Sequence, residues 1–327
     1  ELIMEDVNCD YCGSGEAIFV AKQSDKLHHT TDEFFNIVKC CGCGLNYTNP
    51  RPSTSEIGRY YSEEYSFHAV PSSFKKLVSL LVVKIINGPF SILVNALPFI
   101  SSKFIPYVKP NISDPVIDYY KSSGAGDFLD IGCGAGSSAH FWNTNGALLE
   151  YRKLFKVAGI EVSDRARKVL SEEGIENWAG LDSVPKDRRF GMIRMNWSLE
   201  HVHSPTEYFS FIRNHLLPRG RVIIAVPNYD GLIYKVAPDC VELPIHLYHF
   251  RPVDIRNYAL RFGFKVRSLK TFSYPQMYIS ASKSGLLADS FKEIMTLKVA
   301  KSFQLITKMF DEVECGNDMI IELELDI

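Results

Sequence analysis

The chain has 327 residues, 46% of them hydrophobic, and a formal net charge of −2. That length suits one large domain plus a small module, and the near-neutral balance excludes the strongly basic class of nucleic-acid binders. Five of the eight cysteines (Cys9, Cys12, Cys40, Cys41, Cys43) lie in the first 43 residues, which points to a metal site in a reducing compartment rather than a disulfide scaffold.

The opening ELIMEDVNCDYCGSG has no charged-then-apolar run, so no secretory signal and a cytoplasmic location are expected. Residues 1–50 read as a zinc ribbon. CDYCG (Cys9 to Gly13) and CCGCG (Cys40 to Gly44) are two C-x-x-C-G knuckles. The two-residue spacing lets a tight turn aim both thiolates at one ion, and the glycine permits close approach of backbone N–H groups to sulfur. Cys9, Cys12, Cys40 and Cys43 are therefore expected to hold a closed, structural Zn2+. Cys41 is spare, because it leaves only one residue before Cys43.

Residues 51–113 read as a helical connector or cap. NPRP (Asn49 to Pro52) stiffens the exit from the ribbon, and SEIGRYYSEEY (Ser55 to Tyr65) predicts a short aromatic helix. In Ser73 to Val108, the residues Phe74, Leu77, Val78, Leu81, Val82 and Ile85 recur at helical spacing, and Gly88-Pro89 breaks the run. Lys84 and that break argue against a transmembrane span. Two readings stay open: a helical pair that caps the site or packs on the ribbon, and an in-plane amphipathic helix giving peripheral membrane contact through 74–105.

Residues 114–327 alternate strand and helix: FLDI, a helix to about Asn145, KVAGIEV, SDRARKVLSEEG, FGMIRMNW, SPTEYFSFIRNHLLPRG, RVIIAVPN, GFKVRSL and DMIIELEL. The pattern predicts an α/β, Rossmann-like, doubly wound sheet. Within it, FLDIGCGAGSSAHFW (Phe128 to Trp142) carries three alternating glycines. No Lys follows as a phosphate-binding P-loop requires. Ser137 stands where a dinucleotide fingerprint has its third glycine, and Asp130 would repel a pyrophosphate. The same carboxylate suits a ligand that presents an ammonium group beside a nucleoside.

The stretch resembles the class I S-adenosylmethionine (SAM)-dependent methyltransferases, with D-x-G-x-G-x-G standing as Asp130, Gly132, Gly134 and Gly136. The resemblance implies a glycine turn that lets the backbone approach SAM, with acidic groups engaging its methionine end. It also implies Glu161 of AGIEV as acceptor of both ribose hydroxyls, and Leu181 and Asp182 of AGLDS beside adenine. Asn196, which closes the fourth strand, joins the cofactor set. A doubled knuckle, NPRP, a tyrosine-rich helix and this domain look together like the zinc-ribbon methyltransferases of polysaccharide and secondary-metabolite pathways. Two further segments are similar to that group, WSLEHVHSPTEYFSFIRNHLLPRGRVIIAVPN and HLYHFRPVDIRNYALRFGF. That resemblance implies antiparallel last strands and a small-molecule substrate, a nucleotide-linked sugar or related metabolite.

Methyl transfer is an in-line displacement from a sulfonium, so the enzyme mainly positions the acceptor and removes its proton. Glu200-His201 follow the end of the fourth strand, at the rim where ligands of such sheets bind. His201 is the first candidate for the acceptor-side base; a histidine bonded to backbone that holds the loop is the alternative. His246 and His249 flank Leu247-Tyr248, and one of them is expected to face the pocket. Histidines three apart can also share a metal. Ribose methyltransferases of small RNAs use E-x-x-E-H plus a distant His for a divalent ion; Glu200-His201 matches the second half, with Trp197 in place of the first glutamate. No nucleic-acid substrate is expected. Two rival functions remain open: a lipid-linked acceptor met at a membrane surface, and a docking protein that binds SAM without turnover.

Overall fold

A computed structural model describes residues 4–61, 114–122, 126–136, 148–273, 275–287 and 307–326. The N-terminal unit consists of β1 (Met4–Glu5), β2 (Ala17–Ser24), β3 (Phe34–Cys40), β4 (Asn46–Thr48) and β5 (Arg51–Pro52). β2, β3 and β4 pair antiparallel, as do β1 and β5. The expected aromatic helix is reduced to a 3-10 turn over Ile57–Tyr60 within the described residues. The segment 74–105 lies outside them. Among the described residues, no helix is long and apolar enough to cross a membrane.

The remaining elements are α1 (Pro115–Ser122), β6 (Phe128–Ile131), α2 (Leu148–Tyr151), β7 (Val157–Ile160), α3 (Asp164–Glu172), β8 (Glu176–Trp178), β9 (Phe190–Asn196), α4 (Pro205–His215), β10 (Leu216–Pro227), α5 (Leu232–Val236), β11 (Tyr248–His249), α6 (Pro252–Arg261), β12 (Phe264–Phe272), α7 (Pro275–Lys283) and β13 (Asp318–Leu325). Seven strands form one sheet in the order β8-β7-β6-β9-β10-β13-β12. Neighbours from β8 to β10 are parallel. β13 runs antiparallel to both β10 and β12, so a single reversed strand accounts for the antiparallel end of the sheet.

Local sequence explains the main elements. β6 and β7 are buried at every position, and parallel strands covered on both faces read as continuous apolar runs rather than as alternation. Ser163 caps α3 by accepting from the Ala166 N–H, and Ser204 caps α4 by accepting from the Glu207 N–H, with Pro205 at the first helical position. β8 and β11 are too short for a periodicity to reveal them.

The chain runs from β6 outward to β7 and β8, then returns to β9 on the other side of β6. The carboxyl ends of β6 and β9 therefore flank the point where strand order reverses, where such sheets bind ligands.

The ribbon is not closed on itself. β11 supplies the fourth strand of its sheet, with Tyr248 opposite Tyr47 and His249 opposite Asn46. Cys9, Cys40, Leu45 and Tyr47 share one buried cluster with Phe209, Phe250 and Tyr258 of the larger unit. The fold thus joins residues 4–52 to the segment just before α6.

Candidate active site

The turn after β6 is shaped by its neighbours. Gly132 has φ 76°, and a Cβ there would lie 2.5 Å from Ser198 Cβ, so both backbone and space call for glycine. Ser198, just past β9, donates its hydroxyl to the Ile131 carbonyl at 2.8 Å, which ties the ends of β6 and β9 together. The Gly134 N–H donates to Glu161 Oε2 at 2.8 Å and the Ser163 N–H to Glu161 Oε1 at 2.9 Å. Glu161 follows β7 and is buried. The glycine turn and this carboxylate are therefore one unit.

Leu181, half-buried, and Asp182, exposed, lie in the 3-10 turn after β8, and Asn196 closes β9. The helix expected up to Asn145 falls largely on 137–147, outside the described residues. Asp130, expected on the cofactor side, is paired within the sheet. Both its oxygens accept from Arg194, at 2.9 and 2.6 Å, so the carboxylate offered to the ammonium end of SAM is committed to a neighbouring strand.

Just past β9 a 3-10 turn, Leu199–His201, carries residues expected on the acceptor side. His201 Nδ1 lies 2.9 Å from the Ile245 carbonyl and 3.1 Å from Tyr61 Oη. A carbonyl only accepts, so Nδ1 carries the proton and Nε2 keeps a lone pair. The His201 ring stands edge-on to His246 with centroids 4.7 Å apart. Burial holds His201 down at about 3, and His246 down at about 4 against the pull of Glu242. Both imidazoles are thus neutral near pH 7.

Glu200 Oε1 lies 3.9 Å from His201 Nε2. Neither of its buried oxygens has a hydrogen-bond partner among the described residues, and burial pushes this carboxyl well above its ordinary range. His249 is placed otherwise, with Nε2 3.1 Å from the ribbon's Thr48 Oγ1 and its ring beside Tyr229. Of the two flanking histidines, His246 is the one that meets His201. Glu200, His201 and His246 bring their ligand atoms within 4.8 Å of one another; the pair three apart does not form that group.

Sequence reasoning missed Glu242, Tyr61 and Arg194. Glu242 stands four residues before His246, a spacing that brings side chains together in one turn. Arg194 sits inside an apolar strand, where a charge demands a partner.

The four knuckle cysteines converge as expected. Cys9 Sγ is 3.5 Å from Cys43 Sγ and Cys12 Sγ is 3.4 Å from Cys40 Sγ, and all four sulfurs lie within 4.8 Å of one another. Tetrahedral zinc with bonds of about 2.3 Å sets its sulfurs roughly 3.8 Å apart, so the set fits this ion. Cys41 is exposed and stands outside the set.

Residues 109–269 match the model of a family described as a methyltransferase domain. No curated protein is matched. Among solved structures, the chain is similar to a SAM-dependent methyltransferase from Mesorhizobium loti, at 16% identity over 61% of this chain and 91% of that one, with a TM-score of 0.39. It is also similar to YcgJ from Bacillus subtilis (16% identity, 64% and 97% covered, TM-score 0.41). A third likeness is to the glycopeptide N-methyltransferase MtfA (13% identity, 66% and 93% covered, TM-score 0.38). Likeness at this level transfers no substrate to the present chain. The matched segment, which contains the glycine turn and Glu161, makes the larger unit a methyltransferase domain. The protein is a SAM-dependent methyltransferase.

Proposed function

We propose that the protein transfers a methyl group from SAM to a small molecule, a nucleotide-linked sugar or related metabolite of polysaccharide or secondary-metabolite biosynthesis. The backbone of Gly132, Gly134 and Gly136 and the carboxylate of Glu161 would receive the cofactor, with Leu181, Asp182 and Asn196 around its adenosine. Asp130 serves from behind, holding β6 against β9 through Arg194. When bound, SAM supplies an electrophilic methyl on sulfur. The protein's residues position the acceptor in line and take its proton.

The observation that carries this reading is the pair of neutral imidazoles, the half-buried His201 and the buried His246, at the end of the strand next to the glycine turn. An imidazole lone pair held in place is the usual proton acceptor near neutral pH. The sugar-nucleotide class is supported by the resemblance of the whole chain, ribbon included. Zn2+ held by Cys9, Cys12, Cys40 and Cys43 would be structural, because four thiolates fill its tetrahedral coordination.

Calorimetric titration with S-adenosylhomocysteine, with NADH in parallel, tests the cofactor. Transfer of labelled methyl from SAM into a panel of nucleotide sugars tests the acceptor. The expected result is binding of S-adenosylhomocysteine alone, and label in a sugar nucleotide that is lost in His201→Ala while cofactor binding stays. Binding of NADH instead would remove the reading.

A further inference from the structure

Glu242 and His246 lie one turn apart in the stretch before β11. The His246 N–H donates to the Glu242 carbonyl at 2.8 Å, and their side chains approach to 3.9 Å between Nε2 and Oε2. The other side of Glu242 belongs to the ribbon, whose His28 brings Nε2 to 2.8 Å from the same carboxylate oxygen. Three more contacts fasten this stretch to the ribbon. Gln23 Nε2 donates to the Pro238 carbonyl at 2.9 Å, Lys26 pairs with Asp239, and Thr48 Oγ1 donates to the His246 carbonyl at 3.0 Å. Side-chain exposure falls along the row, from 44% at His28 and 27% at Glu242 to 7% at His246.

We infer that His246, rather than His201, takes the acceptor's proton, with Glu242 as its positioning carboxylate and the ribbon's His28 clamping that carboxylate from outside. This rests on the methyl-transfer reading above and deepens it. A buried base that gains a proton becomes an imidazolium, which needs a counter-charge in place. His201 has the weaker claim to one: its Nδ1 is on a carbonyl, its carboxyl neighbour Glu200 is kept towards the protonated form by burial, and Glu242, which draws on both histidines, makes its ion-pair contact with His246. Asp318, which also interacts with Glu242, is likewise pushed up by burial. Glu242 behaves oppositely. Burial works against its charge, but His246 and the His28 hydrogen bond hold it down at about 2.

Of the other titratable groups around the pair, His28, raised by its hydrogen bond to Glu242, opposes a charge on His246. Burial raises the Tyr61 and Tyr234 hydroxyls and the Cys240 thiol, and it lowers His249 to about 3. His246 Nε2 lies 3.9 Å from Glu242, in ion-pair rather than hydrogen-bond range; the proton is assigned to this nitrogen, facing the carboxylate, and the lone pair to Nδ1. As the acceptor's bond to the methyl carbon forms, its own bond to hydrogen breaks and the proton goes to that nitrogen. The electron pair of the carbon–sulfur bond stays on sulfur. His201 Nε2 accepts a hydrogen bond from the acceptor and orients it. The ribbon thereby completes the acceptor site rather than standing apart from it.

The test is ring-nitrogen NMR of 15N-histidine-labelled full-length protein at neutral pH, saturated with S-adenosylhomocysteine. The expected spectrum has His246 protonated on Nε2, shifting to a mixture or to Nδ1–H in Glu242→Ala, with a smaller shift the same way in His28→Gln. The exposed His28 variant reads the same nitrogen if Glu242→Ala does not fold. His246 protonated on Nδ1 in the parent, or unmoved in both variants, would overturn the assignment. With a sugar nucleotide that takes label, free imidazole should restore turnover to His246→Ala and not to His201→Ala; the reverse would overturn it too. Calorimetry on the same samples separates the two ideas, since a parent that fails to bind S-adenosylhomocysteine sinks the methyltransferase reading itself.

Discussion

Asp130 and Arg194 face each other across β6 and β9 as register partners, joined by two hydrogen bonds with their side chains 3% and 2% exposed. The guanidinium also lies over the rings of Phe128 and Tyr151. Removing one partner of such a pair leaves an unpaired buried charge, which costs about 3–5 kcal/mol. Arg194→Ala should lose that much by denaturant midpoint. Asp130→Leu with Arg194→Met, apolar on both sides, should recover most of it. A loss below about 1 kcal/mol in the single variant would mean that water or another group reaches Asp130.

Glu161 fixes the glycine turn by accepting one backbone N–H with each oxygen. Alanine there frees the Gly134 amide and removes the carboxylate expected to meet ribose. Hydrogen bonds to charged groups are worth about 1.5–3 kcal/mol each. Glu161→Ala should therefore weaken S-adenosylhomocysteine by at least about tenfold in calorimetry, which about 1.4 kcal/mol already gives. Unchanged affinity would place the cofactor's ribose elsewhere.

The legible parts of the sequence were those with dense local signals. The knuckle spacing located Cys9, Cys12, Cys40 and Cys43, which do converge, and the glycine turn located the end of β6. Long apolar runs located β6, β7, β9 and β10. What stayed hidden depends on pairs far apart in the chain. Nothing near His28 announces Glu242, and nothing near Thr48 announces His249, because β11 joins the ribbon sheet from 200 residues downstream. Asp130 had the more specific signal and the less complete reading. A charge in each of two buried adjacent strands implies a partner, and the strand order that makes Arg194 that partner is not written locally.

Asp10, inside the first knuckle, ties the ribbon to the domain. It accepts from the Ser204 hydroxyl, the Thr206 N–H and hydroxyl, and the Tyr258 hydroxyl, at 2.8, 2.9, 2.7 and 2.7 Å. Metal in the knuckles should therefore stabilise the whole protein. Elemental analysis should find one zinc per chain bound by the ribbon, released far more easily by a chelator in Cys12→Ser. Stripping it should lower a single, shared melting transition, because Cys9 and Cys40 share a core with Phe209 and Tyr258. A separate early transition for the ribbon, with the domain's own transition unmoved, would contradict this coupling.

Asp318 opens β13 and accepts from Trp197 Nε1, just past β9, at 2.9 Å. Burial pushes its carboxyl up to about 7 from an ordinary 3.8, against the pull of the Trp197 hydrogen bond. A raised carboxyl binds more proton folded than unfolded, so the stability it contributes is fully present below about pH 3.8 and is lost as pH rises towards 7. Asparagine can keep the tryptophan hydrogen bond without titrating. Asp318→Asn should therefore gain on the parent as pH rises through this window, by up to about 1.4 kcal/mol per pH unit. Urea midpoints of both proteins at about pH 4.5 and about pH 6.5 measure it. Parallel changes would mean that Asp318 ionises in the fold as readily as in water, and that the rim beside Trp197 is wetter than its burial implies.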